Sequence, residues 1–357
     1  MTEKLKLPLV GALTAIVSIT LVVLGNPGNM GFCIACFLRD TAGALGFHSA
    51  APVQYARPET MGIILGALII ALVRKEFSPK GGSAPVTRFV LGACVMIGAL
   101  IFLGCPLRMI LRMAGGDINA LIGLVGFVGG ILLGIFFLKK GYTLKRTHNV
   151  SKTDGFALPV ASLLILAALL FFPTILRFSE SGPGAARAPV LIALAAGLIM
   201  GAVGFVSRVC FSGGIRDSIM LKNFTMLSAF IALLVVGIIG NIITGQFNLG
   251  LEGQPIAHTQ WVWNILGLGL VGFGSVLLSG CPFRQMVLAG SGNSDSAITV
   301  LGMIFGAALA HNLNLASSAA GTTTNGRVGF VIAVVVVLGI AVYNTFFNKQ
   351  ETTCNQP

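Results

Sequence analysis

Charge is what this sequence has least of. Only 10% of its 357 residues are Asp, Glu, Lys or Arg, while 55% are hydrophobic. Soluble globular chains carry roughly 25% charged residues. So few charges cannot clothe a water-facing surface of this length, which excludes an ordinary soluble enzyme or binding domain. The mean hydropathy of +0.92 points to lipid as the solvent. Histidine is scarce too. His48, His148, His258 and His311 are scattered without metal-ligand spacing, so no metal site is expected. No GxxxxGK[ST] loop appears, which argues against an ATPase. No cofactor is expected, and the chain is not read as an enzyme.

Acidic residues number 11 against 23 basic ones, a net charge of +12. Nucleic acid is not the reading, because the basic residues fall in short clusters between apolar runs, as in Arg74-Lys75, Lys139-Lys140 and Lys145-Arg146. That is how cytoplasmic loops of membrane proteins look. The seven cysteines are an odd number, unclustered, and mostly inside or beside apolar segments. Thiols are expected, not a disulfide framework. Cys94, within an apolar run, and Cys354, in the tail, are read as inert.

A span needs about 20 mostly apolar residues. Candidates run near 8–25, 87–103, 118–138, 156–177, 188–206, 224–244, 261–279 and 328–347, with shorter ones near 60–73 and 297–311. The first is expected to be an uncleaved span. About ten spans put both termini, the latter with Lys349, on one side together with 74–86, 139–155, 207–223 and 280–296. Most Lys and Arg lie there, so that side is expected to be cytoplasmic, with the chain in a bacterial inner membrane. Fewer lie opposite: Arg39, Arg57, Arg108, Arg112, Arg177 and Arg187, with Arg327 near the edge of that side.

Internal similarity is the strongest signal. Cys33-Ile-Ala-Cys-Phe-Leu-Arg39-Asp40 is matched 177 residues on by Cys210-Phe-Ser-Gly-Gly-Ile-Arg216-Asp217. Gly104-Cys105-Pro106-Leu107-Arg108 is matched 176 residues on by Gly280-Cys281-Pro282-Phe283-Arg284. At the same offset Gly126, Gly130 and Gly134 become Gly302, Gly306 and Ala310. Five spans separate equivalent points, and an odd number inverts the second copy. The expected fold is therefore all-α: a polytopic membrane protein of about ten helices in two inverted repeats with short re-entrant helices, its substrate site near the midplane. The expected division is 1–150 and 181–357 as the repeats, with 151–180 a connecting span.

Gly-Cys-Pro-x-Arg has a physical reading. Proline suits the first turn of a helix, so Pro106 and Pro282 should open short helices with Cys105 and Cys281 near the cap. Such a terminus presents unpaired N–H groups and a positive dipole end, which suit an anion. Arg108 and Arg284 add charge one turn in, at the mouths of a path. A neutral thiol donates weakly to a soft atom such as terminal sulfur. Arg39-Asp40 and Arg216-Asp217 are read as ion pairs with a structural or a gating role. The four repeated cysteines, Cys33, Cys105, Cys210 and Cys281, are read as lining the path. Cys33 and Cys36 also form a CxxC pair, but Cys36 aligns with Gly213, so the pair is not part of the repeat.

Val209-Cys210-Phe211 leading to Arg216-Asp217, and Gly272-Phe-Gly-Ser-Val-Leu-Leu-Ser-Gly-Cys281, resemble the signature segments of the YeeE/YedE family. The branch most resembled is the YedE-like selenium-metabolism membrane proteins. The resemblance implies inverted repeats around an hourglass-shaped interior. It also implies import of thiosulfate or a related sulfur or selenium species, relayed by path cysteines through transient hydrogen bonds. Cys105 and Cys281 match the family's glycine-cysteine loops; Cys210, and more weakly Cys33, match the cysteine before Arg-Asp. The family further implies a small cytoplasmic sulfur-carrier protein as partner. Leu-Gly-Cys-Pro and Ser-Gly-Cys-Pro, with Arg three residues later, depart from the usual Gly-Gly-Cys followed by a small or polar residue. The expected function is a permease for a small sulfur- or selenium-containing anion. The alternative is a membrane thiol–disulfide oxidoreductase using Cys33 and Cys36.

Overall fold

The computed structural model describes residues 3–347. Lys349 and Cys354 lie outside the described residues. Fourteen α-helices follow one another: α1 Glu3–Val23, α2 Ile34–Ala44, α3 Pro58–Val73, α4 Pro85–Phe102, α5 Pro106–Ala114, α6 Ile118–Lys139, α7 Lys152–Phe171, α8 Val190–Ser207, α9 Phe211–Met220, α10 Leu227–Ile243, α11 Trp261–Leu277, α12 Pro282–Gly290, α13 Ser294–Asn312 and α14 Thr324–Val342. The only sheet among the described residues is a two-residue antiparallel pair, Lys80–Gly81 with His148–Asn149.

Among the described residues nine stretches are long and apolar enough to cross a bilayer. The tenth long helix, α10, has 17 residues, at the lower end of spanning length. The two short candidates prove to be complete helices. The segment near 60–73 starts at Pro58, and the one near 297–311 starts at Ser294. Ser294, Asp295 and Ser296 form the first turn of α13, capped by the Asn293 side chain, and their polarity hid the helix start. At the other extreme, the segment expected to reach 177 ends at Phe171, two residues before Pro173.

Each half runs long, short, long, long, short, long, long. The packing repeats with the order. Helix α6 lies along α11 as α13 lies along α4, and α3 lies along α8 as α10 lies along α1. The repeated glycines explain the first pair of seams. A Cβ on Gly126 would strike Ile265 O, and one on Gly302 would strike Phe89 O. A Cβ on Gly130 would strike Gly269 O, and one on Gly306 the Ala93 carbonyl. The partners Ile265 and Phe89, like Gly269 and Ala93, are themselves 176 residues apart. Small residues four apart let helix backbones touch in lipid, where no hydrophobic force drives association. The last helix of each half breaks the symmetry, since α7 packs on α3 and α14 on α4.

The outward faces are apolar, with Leu121, Val125, Leu132 and Phe136 exposed along α6. All eleven residues of α2 are buried. Helices α2, α5 and α12 are largely buried and α9 is buried over Phe211–Ile215, and since five long helices separate equivalent elements, α2 and α5 enter from one face and α9 and α12 from the other. The chain's described ends, Glu3 and Phe347, share the face of α9 and α12.

Candidate functional site

Each half brings two half-helix N-termini together, and each terminus is capped by a cysteine. Cys33 has extended backbone (φ −143°, ψ 102°) and its sulfur accepts from the Cys36 N–H at 3.3 Å. Cys210 does the same for α9, accepting from the Gly213 N–H at 3.4 Å. Sulfur here fills the position that Ser or Asp oxygens usually hold at an N-cap. Pro106 and Pro282 open α5 and α12 with Cys105 and Cys281 as their caps. Unlike Cys33 and Cys210, neither of these makes a side-chain cap hydrogen bond.

Contacts tie the two short helices of each half together. In the first half Arg108 Nη1, one turn into α5, reaches Cys36 Sγ in the first turn of α2 at 3.5 Å. In the second the Cys281 N–H donates to Cys210 Sγ at 3.4 Å. Cys36 joins the first layer, its sulfur 2.7 Å from that of Cys33, and both remain free thiols. Helix α5 touches α9 and α12 touches α2, so the short helices of the two halves meet. All five cysteines are buried.

The arginines divide by partner. Arg108 is fully buried and is not at a mouth. Its Nε donates to Asn29 O at 3.3 Å, its Nη2 to Pro255 O and Ile256 O at 3.3 Å each, and its Nη1 to Leu103 O and, at 3.5 Å, to Cys36 Sγ. It therefore clasps three loops around the first thiol layer. Arg284 is half-buried and makes one long bond, to Gly204 O at 3.5 Å. Among the described residues neither arginine pairs with a carboxylate, whereas Arg39, Arg57, Arg112 and Arg216 all do. Each thiol layer thus holds a guanidinium whose positive charge is not cancelled locally, beside two dipole ends of the same sign.

The Arg-Asp motifs differ between halves. Arg39 and Asp40 pair at 2.7 Å with side chains 3% and 0% exposed, and Arg57 adds a second bridge to Asp40 at 2.9 Å. Arg216 and Asp217 pair at 2.8 Å with side chains 27% and 19% exposed. Beside Asp217 opens a cavity of about 230 Å³ lined by Lys6, Ser207, Arg208, Asn223 and Thr225. On the opposite face a cavity of about 400 Å³ is lined by Arg39, Leu103, Pro183, Ile256 and His311. One recess therefore lies beside each buried or half-buried Arg-Asp motif.

Sequence reasoning passed over Arg57, which links Asp40 to the carbonyls of Pro183 and Ala186, and Glu59, which accepts from Asn26 at 2.8 Å. The available signal was an acidic residue directly behind Arg57-Pro58 at the head of an apolar run. It also passed over Arg112, paired with Asp117 at 2.6 Å and stacked on Phe102.

What fold and site define is a multi-pass membrane protein with paired, cysteine-capped half-helices meeting at its centre. The comparisons agree with that class. Residues 206–351, which include Cys210, Arg216, Asp217, Cys281 and Arg284, match the Sulphur transport family. The chain is also similar to the thiosulfate transporter TsuA of Escherichia coli (strain K12), with 32% identity over 108 residues. That stretch covers 29% of this chain and 30% of the relative, so the likeness spans less than a third of either. No cluster of three or more potential metal ligands occurs among the described residues.

Proposed function

We propose that this protein is a permease that imports a small sulfur- or selenium-containing anion, of the thiosulfate type, across a bacterial inner membrane. The observation that carries the reading is the convergence of two thiol-capped half-helix termini in each half, each with an arginine free of carboxylate. Backbone N–H groups and dipole ends favour an anion. Neutral thiols add weak, soft donors without adding negative charge. Cys33, Cys105, Cys210 and Cys281 line the path in this reading, and Arg108 and Arg284 supply its positive potential. Pro106 and Pro282 set the directions of the half-helices. Arg39-Asp40 and Arg216-Asp217 hold or gate the flanking segments. Residues 1–150 and 181–357 act as the two repeats in this reading, with α7, in the connecting stretch 151–180, following the first as α14 is appended to the second.

The face with the described termini is cytoplasmic in this reading, supported by Arg74, Lys75, Lys139, Lys140, Lys145 and Arg146 on its loops. The half-exposed Arg216-Asp217 recess then opens to the cytoplasm, where a small sulfur-carrier protein would take over the anion. The test is uptake into proteoliposomes of labelled thiosulfate, selenite and sulfate. Saturable uptake of thiosulfate or selenite, with sulfate a poor competitor, is expected. Equal uptake of all three would mean that the thiols select nothing.

A second reading rests on the adjacent sulfurs of Cys33 and Cys36. As a dithiol, the pair could surrender two electrons and two protons to a disulfide-bearing partner, which would leave as two thiols, with a Cys33–Cys36 disulfide formed. Such a reaction needs no anion path, so loss of thiol exchange in Cys36→Ser with anion uptake intact would favour it.

A further inference from the structure

One buried carboxyl has no place in the path just described. Glu59 stands in the first turn of α3 and is fully buried. Its Oε1 accepts from Asn26 Nδ2 at 2.8 Å, and its Oε2 has no hydrogen-bond partner. A carboxylate left this way inside a membrane protein is costly unless it is functional or finds compensation.

Its surroundings connect it in two directions. Asn26 Oδ1 accepts from the Ala188 N–H at 2.9 Å and from Arg57 Nη1 at 3.4 Å, while Asn26 Nδ2 also reaches Gly31 O at 3.4 Å, in the loop that ends at Cys33. Arg57 continues to Asp40 and to Pro183 O, and Asp40 to Arg39. Arg39 and Pro183 line the 400 Å³ cavity on the face opposite the termini. A hydrogen-bonded chain therefore runs from that cavity through Asp40, Arg57 and Asn26 to Glu59, with a branch to the Gly31 carbonyl two residues before Cys33.

The charged and titratable groups around Glu59 are few. Arg57 and Tyr55 precede it, Asp40 and Arg39 come from α2, His48 is bonded to the Arg39 carbonyl, and Arg187 stacks over Tyr55. Helix α8 meets this end of α3 through Gly197, against the Glu59 carbonyl, and has no titratable residue from Val190 to Ser207. With Glu59 ionised, Arg39, Arg57, Asp40 and Glu59 sum to zero. With Glu59 protonated they sum to one positive charge. The second half has no such switch, since α10 contains no acidic residue.

We propose that Glu59 is a proton site that couples anion import to proton import. The proposal rests on the permease reading above. A proton from water in the outer cavity is taken up on Oε2, the cluster becomes positive, and an anion at the Cys33–Cys105 layer is favoured. By linkage the bound anion favours the proton equally. Release of the anion toward the cytoplasm removes that support, and the proton leaves with it. Co-import of protons would offset the cost of moving negative charge into a negative interior.

The experiment follows labelled thiosulfate and an entrapped pH dye together in proteoliposomes holding the full chain. The unsubstituted protein is expected to acidify the lumen as thiosulfate enters, and an imposed inward proton gradient to raise the initial uptake rate at least tenfold. Glu59→Gln is expected to abolish the acidification and the response to the gradient. Glu59→Asp, which keeps a carboxyl, should retain both, and the surface variant Glu76→Gln should behave as the unsubstituted protein. Uptake by the unsubstituted protein without acidification would overturn the coupling alone, whether or not Glu59→Gln folds. So would acidification that persists in Glu59→Gln. No uptake of any anion by folded, unsubstituted protein would overturn the permease reading and the coupling together.

Discussion

The amide of Cys281 donates to the sulfur of Cys210 at 3.4 Å, so that the cap of one half-helix is tied to the cap of another. The bond belongs to the second repeat; in the first, Arg108 of α5 reaches the sulfur of Cys36, at the head of α2, at 3.5 Å. Two thiol layers made this way are rigid in backbone and soft in side chain, which suits a site that passes an anion along without binding it tightly.

The glycine seams should be intolerant of any side chain. Gly126→Leu or Gly302→Leu would place a Cβ about on top of a facing carbonyl, and overpacking of this kind costs roughly 1–3 kcal/mol or more. Gly129, one position from the seam with nothing near its Cβ direction, is the control. Thermal unfolding in detergent should show a clear fall for the first two and no fall for Gly129→Ala.

Arg57 and Arg216 should differ in their structural weight. Arg57→Ala removes one partner of a fully buried bridge and leaves Asp40 with Arg39 alone, a change worth about 3–5 kcal/mol. Arg216→Ala opens a pair that water already reaches, and about 1 kcal/mol or less is expected. Equal melting shifts for the two variants would contradict the difference in burial between the two Arg-Asp motifs.

Arg284 should act on affinity more than on folding, because its one bond, to Gly204 O, is long. Arg284→Gln is expected to raise the KM for anion uptake about tenfold, equivalent to about 1.4 kcal/mol, with an unchanged melting temperature. Arg108→Gln should lower both uptake and stability, since Arg108 also clasps the loops at Asn29, Leu103 and Ile256.

Cys36→Ser separates transport from redox chemistry. A Ser oxygen keeps the geometry near Cys33 but cannot form a disulfide. Anion uptake within about twofold of the unsubstituted protein is expected, where a tenfold loss corresponds to about 1.4 kcal/mol. Loss of uptake would make Cys36 part of the path.

Much of this was legible in the residues because the duplication repeats chemistry at a nearly fixed offset. Cys-x5-Arg-Asp and Gly-Cys-Pro-x-Arg located all four short helices, and Pro106 and Pro282 marked two of their starts. Helix α13 was foreshortened because its polar first turn is buried against other helices rather than exposed in a loop. The partners of the arginines were not legible. Arg108 is satisfied by carbonyls as distant as Pro255 and Ile256, and a carbonyl carries no residue identity. Glu59 escaped for a related reason, since its one bonded partner, Asn26, lies across the fold in a turn that looks like any Asn-Pro-Gly turn.

The most direct test of the thiol path is to measure labelled thiosulfate uptake by Cys105→Ala and Cys281→Ala separately, each in folded protein reconstituted at matched density. One thiol from each layer is removed while the Pro-initiated helix beside it is kept. The account predicts that either change alone lowers uptake at least tenfold, because the layers act in series. Full uptake by either variant would contradict it.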